Sequence, residues 1–228
     1  MKKIDLGVSS LNKQLSGGMP KGFIVLCKGK VGTGKTLLLR EFMLQGMKEK
    51  DNNIYIIPNK NPLHAIEVMK LYNLSLDLSR INFFVFEGII TKKTEFIQGN
   101  YFSLMDLLIE LNQFIDKLDG KNIRLVFENL SSVFIGVKEE RVFEFLKQLF
   151  LTLRKKQVTA LIEVQPDALD ERVLAKLESI TDGSIQFKKE QNRRYLLIER
   201  MSELPISFKW LPFEASKGKG IKVIEFYK

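Results

Sequence analysis

The chain alternates between short, continuous apolar runs and longer segments whose apolar residues recur every three or four positions. The runs cover residues 23–27, 53–57, 81–86, 122–128 and 159–164. Each has the length of one strand, and unbroken apolar character is what a parallel strand buried on both faces requires. Helical patterns lie between them. Leu11 and Leu15 share a face of a short helix over 9–15, ahead of a Gly/Pro turn cluster at 17–22. Residues 36–44 are rich in helix formers. Asn61 and Pro62 open a helix that runs to about Tyr72, with Pro at its first position. Ser103 caps a helix whose apolar face is Leu104, Leu107, Leu108, Leu111, Ile115 and Leu118. Val142, Phe145, Leu146, Leu149 and Leu153 mark the next, and 168–179 form a short one. Residues 87–102, with Gly88, Gly99 and little periodicity, are expected to be irregular. From Gly183 onward the pattern is strand-like, over 184–187, 195–201, 207–211 and 221–226. Alternation followed by a run of strands predicts an α/β fold: a mostly parallel central sheet flanked by helices, with a C-terminal antiparallel extension. No repeat, low-complexity stretch or linker interrupts the 228 residues, so one domain over 1–228 is expected.

The turn after the first run carries the chemistry. Gly29, Lys30, Val31, Gly32, Thr33, Gly34, Lys35 and Thr36 fit G-x-x-x-x-G-K-[ST], the phosphate-binding P-loop. Glycines let such a loop wrap tightly. Its backbone N–H groups then cradle the α- and β-phosphates of a nucleotide. Lys35 reaches the β/γ-phosphates, and the Thr36 hydroxyl sits on Mg²⁺. The helix after the loop points its positive end at the phosphates. With Gly near ~7% of residues, a chance match in a chain of this length arises on the order of 1% of the time. The alternative, a Gly-rich turn that binds nothing, does not need the strand before it and the helix after it.

Composition narrows the rest. Hydrophobic residues make up 45% and charged residues 28%, which suits a globular chain and not a disordered one. No apolar run approaches the ~20 residues of a membrane span. The first six residues lack the apolar stretch of a secretory signal, so a cytoplasmic protein is expected. The one cysteine, Cys27, reads as a small buried hydrophobe, and the one histidine, His64, does not make a His-based metal site. A net charge of +9 suits nucleic acid, anionic lipid or a lysine-rich solvated surface. The lysines are scattered, with short clusters such as Arg154-Lys155-Lys156, which favours the solvated surface.

A P-loop protein needs a carboxylate at the end of a second buried strand to help hold Mg²⁺. Glu128, after Ile123-Arg124-Leu125-Val126-Phe127, is the candidate. The alternative is an ordinary strand-end acid facing solvent. At this point the chain resembles a family, the KaiC-like ATPases of the RecA superfamily. The stretch from Leu6 to Gly22, with its Gly-Gly-x-Pro-x-Gly turn, is similar to the family's opening. The P-loop comes next at the right distance. Phe127-Glu128-Asn129-Leu130-Ser131-Ser132 resembles the family's acid-Ser-Leu-Ser segment, and Leu161 to Gln165 sit where the family has its sensor strand. Arg194 to Met201, continuing to Glu214, resembles the closing hairpin.

The resemblance implies a RecA-like P-loop NTPase fold, ATP and Mg²⁺ as cofactors, and a homo-oligomer, in the family a hexamer, with nucleotide at its subunit interfaces. A further protein partner is unidentified. It also exposes departures. Two Glu residues of the family, one of which activates the attacking water, fall here on Asn59 and Lys60, and neither is a carboxylate base. The family's Lys and Arg, which reach a neighbour's γ-phosphate, fall on Arg200 and Ser202. Glu128 replaces Asp. Binding is therefore expected to survive while hydrolysis weakens, giving a nucleotide-dependent switch or assembly module. Weak catalytic candidates are Glu128, Gln165 and Arg200. Two other readings stay open: a working ATPase with a relocated base, Glu87 or Glu163, and a RecA- or RadB-like DNA-binding recombination protein, supported by charge and fold analogy alone.

Overall fold

The computed structural model describes residues 2–72, 80–90, 95–118, 121–216 and 220–224. A small antiparallel pair, β1 (Lys3–Ile4) and β2 (Met19–Pro20), encloses α1 (Ser9–Gln14). The chain then runs β3 (Ile24–Lys28), α2 (Lys35–Lys48), β4 (Asn52–Pro58), α3 (Pro62–Tyr72), β5 (Ile81–Phe86), β6 (Ile97–Tyr101) and α4 (Leu104–Asp116). It continues with β7 (Ile123–Phe127), α5 (Glu139–Lys155), β8 (Thr159–Val164) and α6 (Glu171–Ile180). Four strands close it: β9 (Gly183–Glu190), β10 (Arg193–Met201), β11 (Leu211–Ser216) and β12 (Gly220–Val223).

Among the described residues, ten of these strands form one sheet in the order β12-β11-β10-β9-β3-β8-β7-β4-β5-β6. Pairing is parallel from β9 across to β6 and antiparallel from β9 through β10 and β11 to β12. The predicted sheet, helices and C-terminal extension are all present. Strand periodicity splits the core into two layers. Val25, Cys27, Tyr55, Ile57, Val126 and Leu161 face α1, α2 and α3. Ile24, Leu26, Ile54, Ile56, Leu125 and Ile162 face α4, α5 and α6. Cys27 is fully buried, as expected, and burial pushes its thiol well above the ordinary range.

Three expectations need correction. The segment 87–102 is not irregular throughout: its end forms β6, paired with β5. Gln98, Gly99 and Asn100 have low strand propensity, and pairing on the edge of β5 overrides it. Residues 207–210 are not a strand; the strand falls later, at β11, fixed by its antiparallel register with Arg194 to Leu196. Helix α6 starts after Asp170, whose carboxylate accepts from the Arg172 N–H, and residues 166–168 form a separate 3₁₀ turn. Of the last expected strand, residues 225 and 226 lie outside the described residues.

A buried cation ties the opening segment and helix α2 to the sheet. Arg124 on β7 is 0% exposed. Its Nε donates to Asp51 at 2.8 Å and one terminal nitrogen to Glu49 at 2.7 Å. The other donates to the Phe42 and Asp5 carbonyls, and the guanidinium lies 4.7 Å from the Phe42 ring centre. Helix α2 approaches this group so closely that a Cβ at Gly46 would stand 2.6 Å from Arg124 Cδ. Arg124 thus ties the opening segment, the end of α2 and the strand edge into one unit. Replacing Arg124 by Met leaves Asp51 buried without its cation, a loss of about 3–5 kcal/mol. Urea unfolding is expected to show that loss, and Asp51→Asn added to Arg124→Met is expected to recover part of it.

Candidate nucleotide-binding site

The P-loop emerges from the C-terminal end of β3, between β8 and β9, where the order of strands changes direction. Crevices of parallel sheets collect ligands at that place. Gly34 caps α2 with φ of 104°, and a Cβ there would stand 2.7 Å from the Phe213 ring. Gly32 takes φ of 76° with nothing within 4 Å of a Cβ, so it faces open space. Lys30 and Val31 are exposed at the tip, while Thr33 and Lys35 are buried. Lys35 Nζ donates to the Lys30 carbonyl at 2.8 Å and Thr33 Oγ1 to the same carbonyl at 2.8 Å. The loop is therefore folded on itself with Lys35 held inward. Burial lowers the pKa of Lys35 against the opposing pull of Glu163.

Two carboxylates end the strands beside the loop. Glu128 comes directly after β7, is 3% exposed, and accepts from the Tyr55 hydroxyl at 2.7 Å and from Lys60 Nζ at 2.8 Å. Glu163 lies in β8 and is 8% exposed. It accepts from Thr36 Oγ1 at 2.9 Å and stands 3.7 Å from Lys35 Nζ. Burial, and then the nearby Glu128 charge, raise the pKa of Glu163. Burial raises that of Tyr55 further. A cleft of about 250 Å³ opens alongside, lined by Thr36, Arg40, Lys60, His64 and Glu128 among others. Arg40 Nε is buried there with no hydrogen-bond partner among the described residues.

The predicted residues are thus sorted by geometry. The P-loop, Thr36, Glu128 and Glu163 come together. Glu128, the expected metal carboxylate, turns toward Tyr55 and Lys60, while the Thr36 hydroxyl bonds to Glu163. Asn59 is exposed, with φ of 56°. Gln165 exchanges hydrogen bonds with Ser131 through its backbone, at 2.8 and 3.2 Å. Glu87 lines a different cleft, of about 740 Å³, which contains no P-loop residue. Arg200 is spent inside its own chain. It donates to the Glu178 carbonyl at 2.7 Å, the Thr181 carbonyl at 2.9 Å and the Thr181 hydroxyl at 3.3 Å.

From the sequence, Arg194 and Phe213 fall in the closing hairpin with neither tied to the loop, yet Arg194 Nε donates to the Gly32 carbonyl at 3.2 Å and Phe213 lies under Gly34. Both come from the antiparallel extension, and only its register brings them to the loop. Lys28, the last residue of β3, is paired with Glu178 of α6 and, at 2.6 Å, with Glu199 of β10. Burial opposes its charge, but the two acids outweigh it and its pKa rises.

Hard oxygen donors suit Mg²⁺, and the Thr36 hydroxyl with two buried carboxylates supplies them. Among the described residues no cluster of three or more His, Cys, Asp or Glu could hold a metal alone. The ion would therefore be shared with phosphate oxygens, as is usual for Mg²⁺.

Fold and loop together define a RecA-like P-loop protein. The family described as ATPase: KaiC matches residues 4–227, and the chain belongs to it. It is 24% identical to the archaeal flagellar ATP-binding protein FlaH of Sulfolobus acidocaldarius, over 97% of this chain and 96% of that one. It is 26% identical to the circadian clock oscillator protein KaiC of Nostoc, over 67% of this chain but only 31% of that one. A crystal structure of a KaiC-like protein from Pyrococcus horikoshii matches with a TM-score of 0.79 at 24% identity, covering 98% of this chain and 99% of the other. At that identity the match speaks for the fold. No described helix is long and apolar enough to cross a membrane.

The Lys28 cluster yields a pH dependence. Burial alone would raise the Glu199 pKa, but hydrogen bonds from Lys28 and Ser184 hold it below its ordinary 4.5. A carboxylate with a lowered pKa stabilises the fold above its unfolded value and loses that contribution as pH falls through the folded value. Glu199 is partly exposed, so its share is about 1 kcal/mol or less. Glu199→Gln is expected to be less stable than the parent at neutral pH. The gap should close as the pH of urea unfolding is taken below 4.5.

Proposed function

We propose that this protein binds ATP with Mg²⁺ and uses the bound nucleotide as a switch or assembly signal, with slow hydrolysis. In this reading residues 29–36 wrap the phosphates, and Lys35 turns from the Lys30 carbonyl to the β/γ-phosphates. Thr36 holds the ion, with a strand-end carboxylate beside it. Bound Mg²⁺ would neutralise phosphate charge and fix its orientation. The chain's own residues would exclude water from the loop and set the position of the terminal phosphate.

The observation that carries the slow-turnover part is Lys60. Where the resembling family has a carboxylate base, this chain places an ammonium 2.8 Å from Glu128. A charged ammonium takes no proton from water, and its pairing with Glu128 occupies one carboxylate oxygen that could otherwise do so. Affinity and turnover are then separable. Lys35→Ala removes a charge-assisted contact worth ~1.5–3 kcal/mol and should weaken binding of a fluorescent ATP analogue by about tenfold or more. Phosphate release by the parent under saturating Mg-ATP should stay below ~1 s⁻¹, the lower end of ordinary enzymes. Turnover at or above that rate would favour the second reading, an ATPase with a relocated base. Glu163 would then be the residue to mutate, since Glu87 lies in the other cleft.

The same reading makes the protein one KaiC-like unit that joins copies of itself when nucleotide is bound. An Arg200 that reaches across to a neighbour must first leave the carbonyls of Glu178 and Thr181. Association should therefore need Mg-ATP and be weak without it. Light scattering is the measurement. A particle that stays monomeric with and without Mg-ATP, well above the binding constant, removes the assembly role and leaves Arg200 as a strut between β10 and α6.

A further inference from the structure

Glu128 and Glu163 end neighbouring strands, but their charges are balanced differently. Glu128 takes a bond from the Tyr55 hydroxyl at 2.7 Å and from the Lys60 ammonium at 2.8 Å. Lys60 belongs to the stretch after β4 and can stay with Glu128 when the P-loop fills. Glu163 has a neutral partner, the Thr36 hydroxyl at 2.9 Å. Its cation is Lys35, 3.7 Å away and hydrogen-bonded to the Lys30 carbonyl instead. Lys35 is the residue that a phosphate claims.

When a phosphate claims it, the cation nearest to Glu163 moves to the ligand. A carboxylate that is 8% exposed then faces phosphate oxygens across the Thr36 hydroxyl. Like charges brought together in a poorly solvated site repel strongly, and the repulsion is relieved by a cation placed between them. The hydroxyl that Glu163 holds is the one on which a P-loop seats its divalent ion. Glu163 is therefore aimed at the ion's position and loses its nearest cation when the loop fills; the positive charge that remains near it, Lys60, is hydrogen-bonded to Glu128. Glu128 meets neither condition, because Lys60 already neutralises it.

We infer that Glu163, on β8, is the carboxylate that faces the metal beside Thr36, and that it makes nucleotide affinity conditional on a divalent cation. The role has moved one strand along the sheet from β7, and the Lys60–Glu128 pair is the counterpart of that move. This inference rests on the nucleotide-binding reading given above. Glu163 acts here as a positioning and selectivity residue: it would reject metal-free nucleotide and orient the ion toward the Thr36 side of the loop.

The test is a binding measurement that does not involve turnover. The affinity for a fluorescent ATP analogue is measured with excess Mg²⁺ and again with EDTA, for the parent, Glu163→Gln, Glu163→Asp and Glu128→Gln. Thermal melting checks that each variant folds, and Glu163→Ala replaces Glu163→Gln should the latter not fold. The ratio of the two affinities is the readout. Glu163→Gln is expected to shrink it by about tenfold or more, chiefly because binding in EDTA tightens when the like charge is gone. Glu163→Asp keeps the charge and should keep most of the ratio. Glu128→Gln should change it less than Glu163→Gln does. An unchanged ratio in Glu163→Gln, or a collapse confined to Glu128→Gln, overturns the inference while leaving nucleotide binding intact. A parent that binds in neither condition overturns the nucleotide reading and this inference with it.

Discussion

Strand β3 is enclosed on every side, and the site depends on that enclosure. Its edges are paired with β8 and β9, and its two faces are covered by α2 and by the layer of α5 and α6. Its backbone groups are taken up in ladders, and the Gly29 N–H is given to the Val164 carbonyl at 3.3 Å. The chain therefore leaves the sheet at a fixed point and in a fixed direction. A loop anchored in this way can present its N–H groups without ordering them anew for each ligand, which is the benefit of preorganisation.

The same enclosure creates the electrostatic problem that the site has to solve. Lys28, Lys35, Glu128 and Glu163 all lie at the C-terminal edge of the parallel strands, and all are buried. Isolated buried charges are costly, so each must be paired. Lys28 is offset by Glu178 and Glu199, which fasten α6 and β10 to the end of β3. Glu128 is offset by Lys60. Lys35 and Glu163 stand 3.7 Å apart, too far for a hydrogen bond; Lys35 donates instead to the neutral Lys30 carbonyl, and Glu163 accepts from the neutral Thr36 hydroxyl. The pair that is least well satisfied is the one that stands where a ligand would enter. Under the proposed function, stability and function meet there: the ion pairs that hold the frame are hydrogen-bonded inside the chain, and the Lys35–Glu163 pair, at 3.7 Å, is the one a phosphate and a metal would enter.

The antiparallel extension is more than an edge to the sheet. Strand β10 brings Arg194 to the Gly32 carbonyl, β11 brings Phe213 beneath Gly34, and β12 lies against Glu41 of α2. A displacement of the extension would change the floor of the P-loop. Arg200 sits on the same strand as Arg194 and holds it to α6. The residue expected from the family resemblance to reach a neighbouring subunit thus belongs to the element that shapes the loop, and here it bonds to Glu178 and Thr181 of its own chain.

The sequence by itself determined the loop and its two flanking elements, because the chemistry there is local. Glycines at 29, 32 and 34, the lysine and the threonine are fixed by their spacing, and apolar runs and periodic helices come from burial on one or two faces. It also determined that residues 59 and 60 hold no carboxylate. Only the tertiary structure decided which acid serves which partner. Glu128 and Glu163 look alike as strand-end acids, and their difference comes from Lys60 and Tyr55, which lie 68 and 73 residues from Glu128 along the chain. Strand β6 was illegible for a related reason: Gln98, Gly99 and Asn100 carry no strand signal, and the edge of β5 supplied the pairing. Arg194 and Phe213 reach the loop through antiparallel register, which no local pattern encodes. Covalent neighbours write themselves into a sequence as spacing, whereas charges that meet across a sheet are set by strand order, and strand order is a property of the folded chain.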